Sequence, residues 1–207
     1  MRRLLAVITA TVALVLASCS PPSRNAGAQF VPAGMAAAPT FTVIYAFGSK
    51  PGDGDSPRAP LIVVNGTLYG TTQDGGKYGY GTVFSLTPKG EERVLHSFGA
   101  GDDGRWPTAD LVDDRGVLYG TTVSGGANCP GRFPGCGTVF GITLSGAEHV
   151  VYSFAGGDDG DEPRAGLALL RGDLYGTTER GGKFGDGTIF AITAAGRKTV
   201  LHSFDFR

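Results

Sequence analysis

A surplus of charge of either sign is missing from this 207-residue chain: 18 Lys and Arg against 19 Asp and Glu leave a formal net charge of −1. With its basic residues scattered singly, the chain lacks the electrostatic footprint that phosphate backbones demand, and it lacks a polybasic patch for anionic lipid. Nucleic acid is therefore excluded as a partner class. Cysteine and histidine are scarce too, at three each. Cys129 and Cys136 have no His or further Cys near them in sequence, so a zinc site is short of ligands. The apolar run Leu4 to Leu16 falls short of the roughly 20 residues that span a bilayer, which makes a retained membrane span the weaker reading.

What the chain has in abundance is glycine, 35 residues, with 12 prolines, while apolar residues still make up 41%. Such a mix describes a core cut by many tight turns rather than a disordered chain. Arg2 and Arg3, the apolar run and the small residues after it form a bacterial export signal. Leu16-Ala17-Ser18-Cys19 resembles the lipobox, in which cleavage precedes a cysteine that is then lipidated. The other reading is an ordinary secretory signal cut later, for instance after Ala28. Several acyl chains on Cys19 would anchor the protein stably in the cell envelope. In a host with two membranes, Ser20 rather than Asp after the cysteine points to the outer one, by resemblance to known sorting behaviour. Residues 1–18 are thus expected to be signal, 19–40 a Pro-, Ala- and Gly-rich tether, and 41–207 a folded domain.

That domain repeats itself. Leu68-Tyr69-Gly70-Thr71-Thr72 returns at Leu118 and at Leu174, spacings of 50 and 56. Each copy is followed by a Gly-Gly pair, by Gly-Thr-Val-Phe or Gly-Thr-Ile-Phe (Gly81, Gly137, Gly187) and by Ser-Phe (Ser97, Ser153, Ser203). A period near 50 belongs to propeller-like arrays. The repeats run approximately 48–98, 99–154 and 155–204, and six extra residues in the middle one fall in the segment flanked by Cys129 and Cys136. In an exported protein, two close cysteines around Pro- and Gly-rich turn residues suggest a local disulfide.

Each repeat holds four short β-prone runs, in the first repeat Leu61 to Val64, Thr67 to Thr72, Thr82 to Thr87 and Arg93 to Phe98. The first two are joined by Asn65-Gly66, a two-residue hairpin signal, with Arg115-Gly116 and Gly172-Asp173 in the same place. On the third run Phe84, Phe140 and Phe190 share a face with Leu86, Ile142 and Ile192, while Ser85, Gly141 and Ala191 keep the opposite face small. The fourth run reads Val94-His96-Phe98, Val150-Tyr152-Phe154 and Val200-His202-Phe204. Val43-Tyr45-Phe47 fits that pattern, so one extra strand is expected before the first full repeat. The expected fold is all-β: a propeller-like array of three four-stranded antiparallel repeats plus one N-terminal strand. A closed propeller takes four to eight blades. Three fall short, so self-association or completion by a partner is expected.

These blocks resemble the repeat of the GloVer tandem-repeat family, exported bacterial proteins with a choice of surface anchors, over roughly Val43 to Phe204. The resemblance implies an exported, propeller-like repeat domain and supplies no catalytic residues. It also implies a longer array than this one, so a truncated or partner-completed array fits the repeat number.

Residues that recur in every repeat are first explained by the scaffold. His96 and His202 occupy the slot of Tyr45 and Tyr152, and His149 begins a strand, so all three read as structural. The Thr-Thr pairs read as cross-strand hydroxyl partners rather than nucleophiles, which would need an adjacent base. The acidic turns Asp53/Asp55, Asp102/Asp103 and Asp158/Asp159/Asp161 could ligate calcium, but each supplies too few oxygens, and turn chemistry explains them. No cofactor is otherwise implied. The long loops, which emerge on one face of an up-and-down blade, carry Lys77, Tyr78, Arg105, Trp106 (the only tryptophan), Arg132, Phe133, Lys183 and Phe184. That face is the expected binding surface, for a glycan, a peptide or a neighbouring envelope protein.

The leading expectation is thus a non-enzymatic, lipid-anchored envelope protein. An enzyme assembled from the unrepeated Asp110, Glu148, Glu162 or Arg132 is the alternative, and a structural, calcium-stabilised repeat is the third.

Lipidation is directly testable. Intact-mass analysis of membrane-extracted protein should find acyl mass on Cys19, and Cys19→Ser should abolish membrane retention. A soluble wild-type protein beginning after Ala28 would refute it.

Overall fold

Alternating apolar runs punctuated by glycine leave each strand one outlet, a reversal onto its neighbour. The computed structural model describes residues 41–129, 135–193 and 195–206. Those from Ile44 onward form one compact unit, and residues 41–43 belong to a preceding one. In chain order the first repeat contributes β1 (Gly54–Asp55), β2 (Ile62–Val64), β3 (Thr67–Thr72), β4 (Asp74–Gly75), β5 (Thr82–Leu86) and β6 (Glu92–Ser97). The second contributes β7 (Gly104–Arg105), β8 (Val112–Asp114), β9 (Val117–Thr122), β10 (Ser124–Gly125), β11 (Thr138–Thr143) and β12 (Glu148–Ser153). The third contributes β13 (Ala168–Leu170), β14 (Asp173–Thr178), β15 (Thr188–Ile192) and β16 (Lys198–Ser203). The result is three four-stranded antiparallel meanders, β2-β3-β5-β6, β8-β9-β11-β12 and β13-β14-β15-β16, with small ladders β1-β4 and β7-β10 beside the first two. The fold is all-β, as expected, and none of its sheets closes on itself.

The hairpins follow backbone chemistry. Asn65-Gly66, Arg115-Gly116 and Arg171-Gly172 all take positive φ, the demand of a two-residue type I′ turn. The third turn therefore sits one residue earlier than the expected Gly172-Asp173, because pairing Leu170 with Asp173 puts the glycine second in all three.

Two further expectations need correcting. The fourth strands do not alternate cleanly: a bulge offsets the register, so Phe84 pairs with Val94 and Val83 with His96. Leu95 is left between them, and the same offset recurs in β12 and β16. As a consequence Val151 packs into the core while Val150 is exposed. The extra N-terminal strand does not form: residues 41–46 join no sheet among the described residues. Tyr45 and Phe47 nevertheless hold the side-chain positions of such a strand. Phe47 meets Phe84 edge to face at 4.8 Å, as Phe98 meets Phe140 (5.0 Å) and Phe154 meets Phe190 (5.2 Å).

These contacts locate the core, which lies between successive sheets. One cluster joins Tyr69, Val83 and Phe98 of the first repeat to Leu111, Leu118, Phe140 and Ile142 of the second. The next joins Cys136, Val139 and Phe154 to Leu167, Leu174, Phe190 and Ile192. Cys136 is bridged to Cys129 by the expected disulfide. The glycine of Leu-Tyr-Gly-Thr-Thr is fixed by this packing: a Cβ on Gly120 would stand 2.6 Å from Phe140 Cζ and 2.9 Å from Leu111 Cδ2. Gly70 and Gly176 face Phe84 with Leu61, and Phe190 with Leu167, in the same way.

Gly120→Ala should therefore overpack the second sheet and cost about 1–3 kcal/mol in denaturant unfolding. Combined with Phe140→Leu, which vacates the space, it should cost less than the sum of the two single changes. Strict additivity would contradict the packing described.

Candidate functional site

Three recurring polar devices shape the loop face. The hydroxyl of each Ser-Phe serine accepts a loop N–H, from Lys77 to Ser97, Asn128 to Ser153 and Lys183 to Ser203, all at 3.2 Å. The second threonine of each pair meets the threonine opposite at 2.8 Å, Thr72 with Thr82, Thr122 with Thr138 and Thr178 with Thr188. These are the expected cross-strand hydroxyl pairs. Finally, one aspartate in each acidic turn accepts the N–H four residues before it: Ser49 to Asp53, Gly99 to Asp103 and Ala155 to Asp159. The ladders β1-β4 and β7-β10, and a bridge between Asp161 and Arg180, then tie the acidic loop of each repeat to its Gly-Gly loop.

On this frame the expected binding residues divide into two groups. Arg105 and Trp106 come together around Tyr80 of the same loop face. The Arg105 guanidinium lies 4.6 Å from the Tyr80 ring centroid, and the Tyr80 and Trp106 rings meet edge to face at 6.0 Å. Trp106 is held at φ 59, a left-handed conformation that bulky residues rarely adopt. Its N–H donates to the Tyr80 carbonyl at 2.9 Å. This group pins its own loops. Lys77 with Tyr78, and Lys183 with Phe184, form the second group, outward-facing pairs with the ammonium 5.0 and 5.1 Å from the ring centroid. Tyr78 is 41% and Phe184 43% exposed. Arg132 and Phe133, in the corresponding loop of the middle repeat, lie outside the described residues, as does Cys19.

Beneath the loops one aspartate of each acidic turn also meets a ring, a pairing the repeat pattern does not name. The Tyr45 hydroxyl donates to Asp53 at 2.9 Å, His96 Nε2 lies 3.0 Å from Asp103, and the Tyr152 hydroxyl donates to Asp159 at 2.8 Å. A third member comes from the start of the following sheet's last strand: Glu92, Glu148 or Lys198. Glu92 pairs with Lys50 at 2.8 Å and Lys198 with Asp159 at 2.7 Å. Burial pushes the Lys198 ammonium down, and its bond to Asp159 works against that. The Tyr152 hydroxyl is raised by burial and by Asp159. Burial raises the Glu148 carboxyl; among its neighbours, His96 lowers it and Asp103 raises it again. The near-constant spacing of ring to acid, seven or eight residues, was the signal available in the sequence.

The other singled-out acids are engaged separately. Asp110 lies against Gly166, and Glu162 pairs with Arg164 and Arg180 at 2.7 and 3.2 Å. His149 lies over Gly141, its partner across the strands. Asp55 accepts the N–H of Ser56 in a turn, and Asp102 and Asp158 face solvent. Among the described residues no three His, Cys, Asp or Glu side chains gather in a metal-holding group.

Residues 29–207 match the family model described as the Gloeobacter/Verrucomicrobia repeat. No curated protein matches the chain.

Glu148 supplies a pH test. Its folded-state pKa lies above the ordinary value of 4.5. It therefore contributes stability that is fully present below pH 4.5 and lost as pH rises through the folded value. Glu148→Gln should melt higher than wild type at neutral pH, by about 2–4 °C for each kcal/mol recovered. The gap should close on acidification, and a gap independent of pH would contradict the assignment.

Proposed function

The chain belongs to the Gloeobacter/Verrucomicrobia repeat family, and from that premise we propose that it is a non-enzymatic binding or scaffolding protein of the cell envelope. The three sheets are read as successive blades of a propeller-like array, and Cys19 as the lipidated anchor that holds it at the membrane. The loop face engages a glycan, a peptide or a neighbouring envelope protein.

The observation that carries this reading is the pair of outward-facing rings. Repeated Ser, Thr and Asp side chains are spent on loop anchoring, hydroxyl pairing and turns, as described above. What two repeats add beyond the scaffold is an exposed ring with a lysine over it at the same loop position, Tyr78 and Phe184. An aromatic face in water beside a cation offers stacking and polar contact together, a combination that suits sugar rings and peptide side chains.

Glycan and peptide arrays probed with the full chain should yield a ligand class. Tyr78→Ala and Phe184→Ala should each weaken its binding by about tenfold with unchanged melting, since the rings are exposed. Binding indifferent to both changes would refute the loop-face assignment. Turnover of the bound ligand would refute the non-enzymatic reading.

A further inference from the structure

Each junction between successive sheets is built from the same parts. The earlier sheet supplies a phenylalanine, a ring that meets an acid, and a threonine hydroxyl. The later sheet supplies a phenylalanine, the aspartate, and a backbone carbonyl before its first strand. Thr71 donates to the Ala109 carbonyl at 3.0 Å and Thr121 to the Ala165 carbonyl at 3.1 Å. A proline of the later sheet also closes on a glycine of the earlier one: a Cβ on Gly81 would stand 2.7 Å from Pro107, and one on Gly137 2.6 Å from Pro163.

The third sheet carries the whole donor set, in Thr177, Gly187, His202 and Phe204, and no sheet follows it among the described residues. Phe98 and Phe154 are fully buried, but Phe204 is 38% exposed, and Leu201, in the place of Leu95 and Val151, is 54% exposed. Thr177 is exposed where Thr71 and Thr121 are buried.

The first sheet carries the acceptor set, in Asp53, Pro57, Ala59, Leu61 and Phe84, and it is only partly covered. Pro57 and Leu61 are half-buried, whereas Pro107, Pro163, Leu111 and Leu167 are buried. Its cover is Tyr45 and Phe47, on a segment that joins no sheet. The acids match as well. His96 sits in a junction whose later sheet offers two carboxylates, Asp103 and Glu148, while Tyr152 sits where the pair is Asp159 and Lys198. The first sheet offers two carboxylates, Asp53 and Glu92, with Lys50 drawn onto Glu92. The donor strand left over carries His202, the ring that suits such a pair.

We propose that the last strand of one copy docks on the first sheet of a second copy, displacing Tyr45 and Phe47. Reciprocal docking gives a dimer in which Phe204 meets the other copy's Phe84, His202 its Asp53 and Glu92, and Thr177 its Ala59 carbonyl. The segment holding Tyr45 and Phe47 acts as a plug that the incoming strand must expel, so it weakens association. This interface goes beyond the ligand-binding reading and does not rest on it, because none of the exposed loop rings takes part.

Sedimentation velocity of the full chain in mild detergent, over a dilution series, tests the proposal. Wild type should show a reversible species of twice the monomer mass. Phe204→Asp should weaken it at least about thirtyfold, and Thr177→Val about two- to tenfold, both with the monomer's melting unchanged. Phe47→Ala should tighten association several-fold by loosening the plug; if that variant melts, the milder Phe47→Leu is read instead. A monomer at every concentration, a dimer indifferent to Phe204→Asp, or association unchanged or weakened by the folded plug variant would overturn the proposal.

Discussion

The described fold depends on one contact, the edge-to-face meeting of a phenylalanine closing one sheet with a phenylalanine in the next, which Phe47 reproduces on Phe84 from outside any sheet. Each four-stranded sheet is too small to bury both of its faces, so its apolar side chains find cover only across a junction. The rest of the repeat serves that meeting. The third-strand ring needs space beneath it, which a glycine on the neighbouring strand provides. The closing ring must leave its strand at a fixed angle, and its N–H is held by the carbonyl of the glycine that opens the third strand: Phe98 to Gly81, Phe154 to Gly137 and Phe204 to Gly187.

Because stability is shared between neighbours, the polar clamp at each junction must be satisfied locally, and the two junction clamps, like that of Tyr45 on Asp53, do so with different residues. Replacing a tyrosine by a histidine keeps the T-shaped contact with the phenylalanine two residues on, at 4.7 Å for His96 and 5.3 Å for Tyr152. It alters only the polar tip. The third member differs too: Glu148 beside His96, Lys198 where Tyr152 donates to Asp159, and Glu92 beside Tyr45. Lys198 also lies 5.1 Å from the Phe154 ring centroid, so its charge is stabilised by an aromatic face as well as by a carboxylate. Junctions with one geometry thus come in distinguishable electrostatic versions, which is how a repeat array can give its sheets a fixed order.

The sequence made most of the scaffold legible, since strand alternation, hairpin dipeptides and repeated blocks are local signals read three times over. The Phe84, Phe140 and Phe190 face and the threonine pairs follow from such signals, and the Cys129–Cys136 bridge from two close cysteines around turn residues in one repeat. What escaped depends on partners that a repeat pattern does not name. The bulge at Leu95 inserts a residue into an alternation that looks unbroken in the letters. Residues 43–47 have the pattern of a strand, but a strand exists only where another offers its backbone. Trp106 and Arg105 look like surface binders in sequence, and Tyr80 draws both of them to its ring.

The middle repeat shows how such a scaffold tolerates novelty. Between Gly126 and Gly137 it has eleven residues of spacing where Gly76 and Gly81 have five, yet Phe154 and Phe190 in the junction below meet edge to face at 5.2 Å as Phe98 and Phe140 do at 5.0 Å. Cys136 stands where Tyr80 stands in the first repeat, and its carbonyl accepts the Glu162 N–H at 3.1 Å just as the Tyr80 carbonyl accepts that of Trp106. The disulfide fastens the inserted loop to this residue, which is itself buried in the core. A short loop closed on a fixed scaffold position carries a small ordering cost. Variation is thereby steered into the outer loops, the part of each repeat that the phenylalanine contact does not constrain.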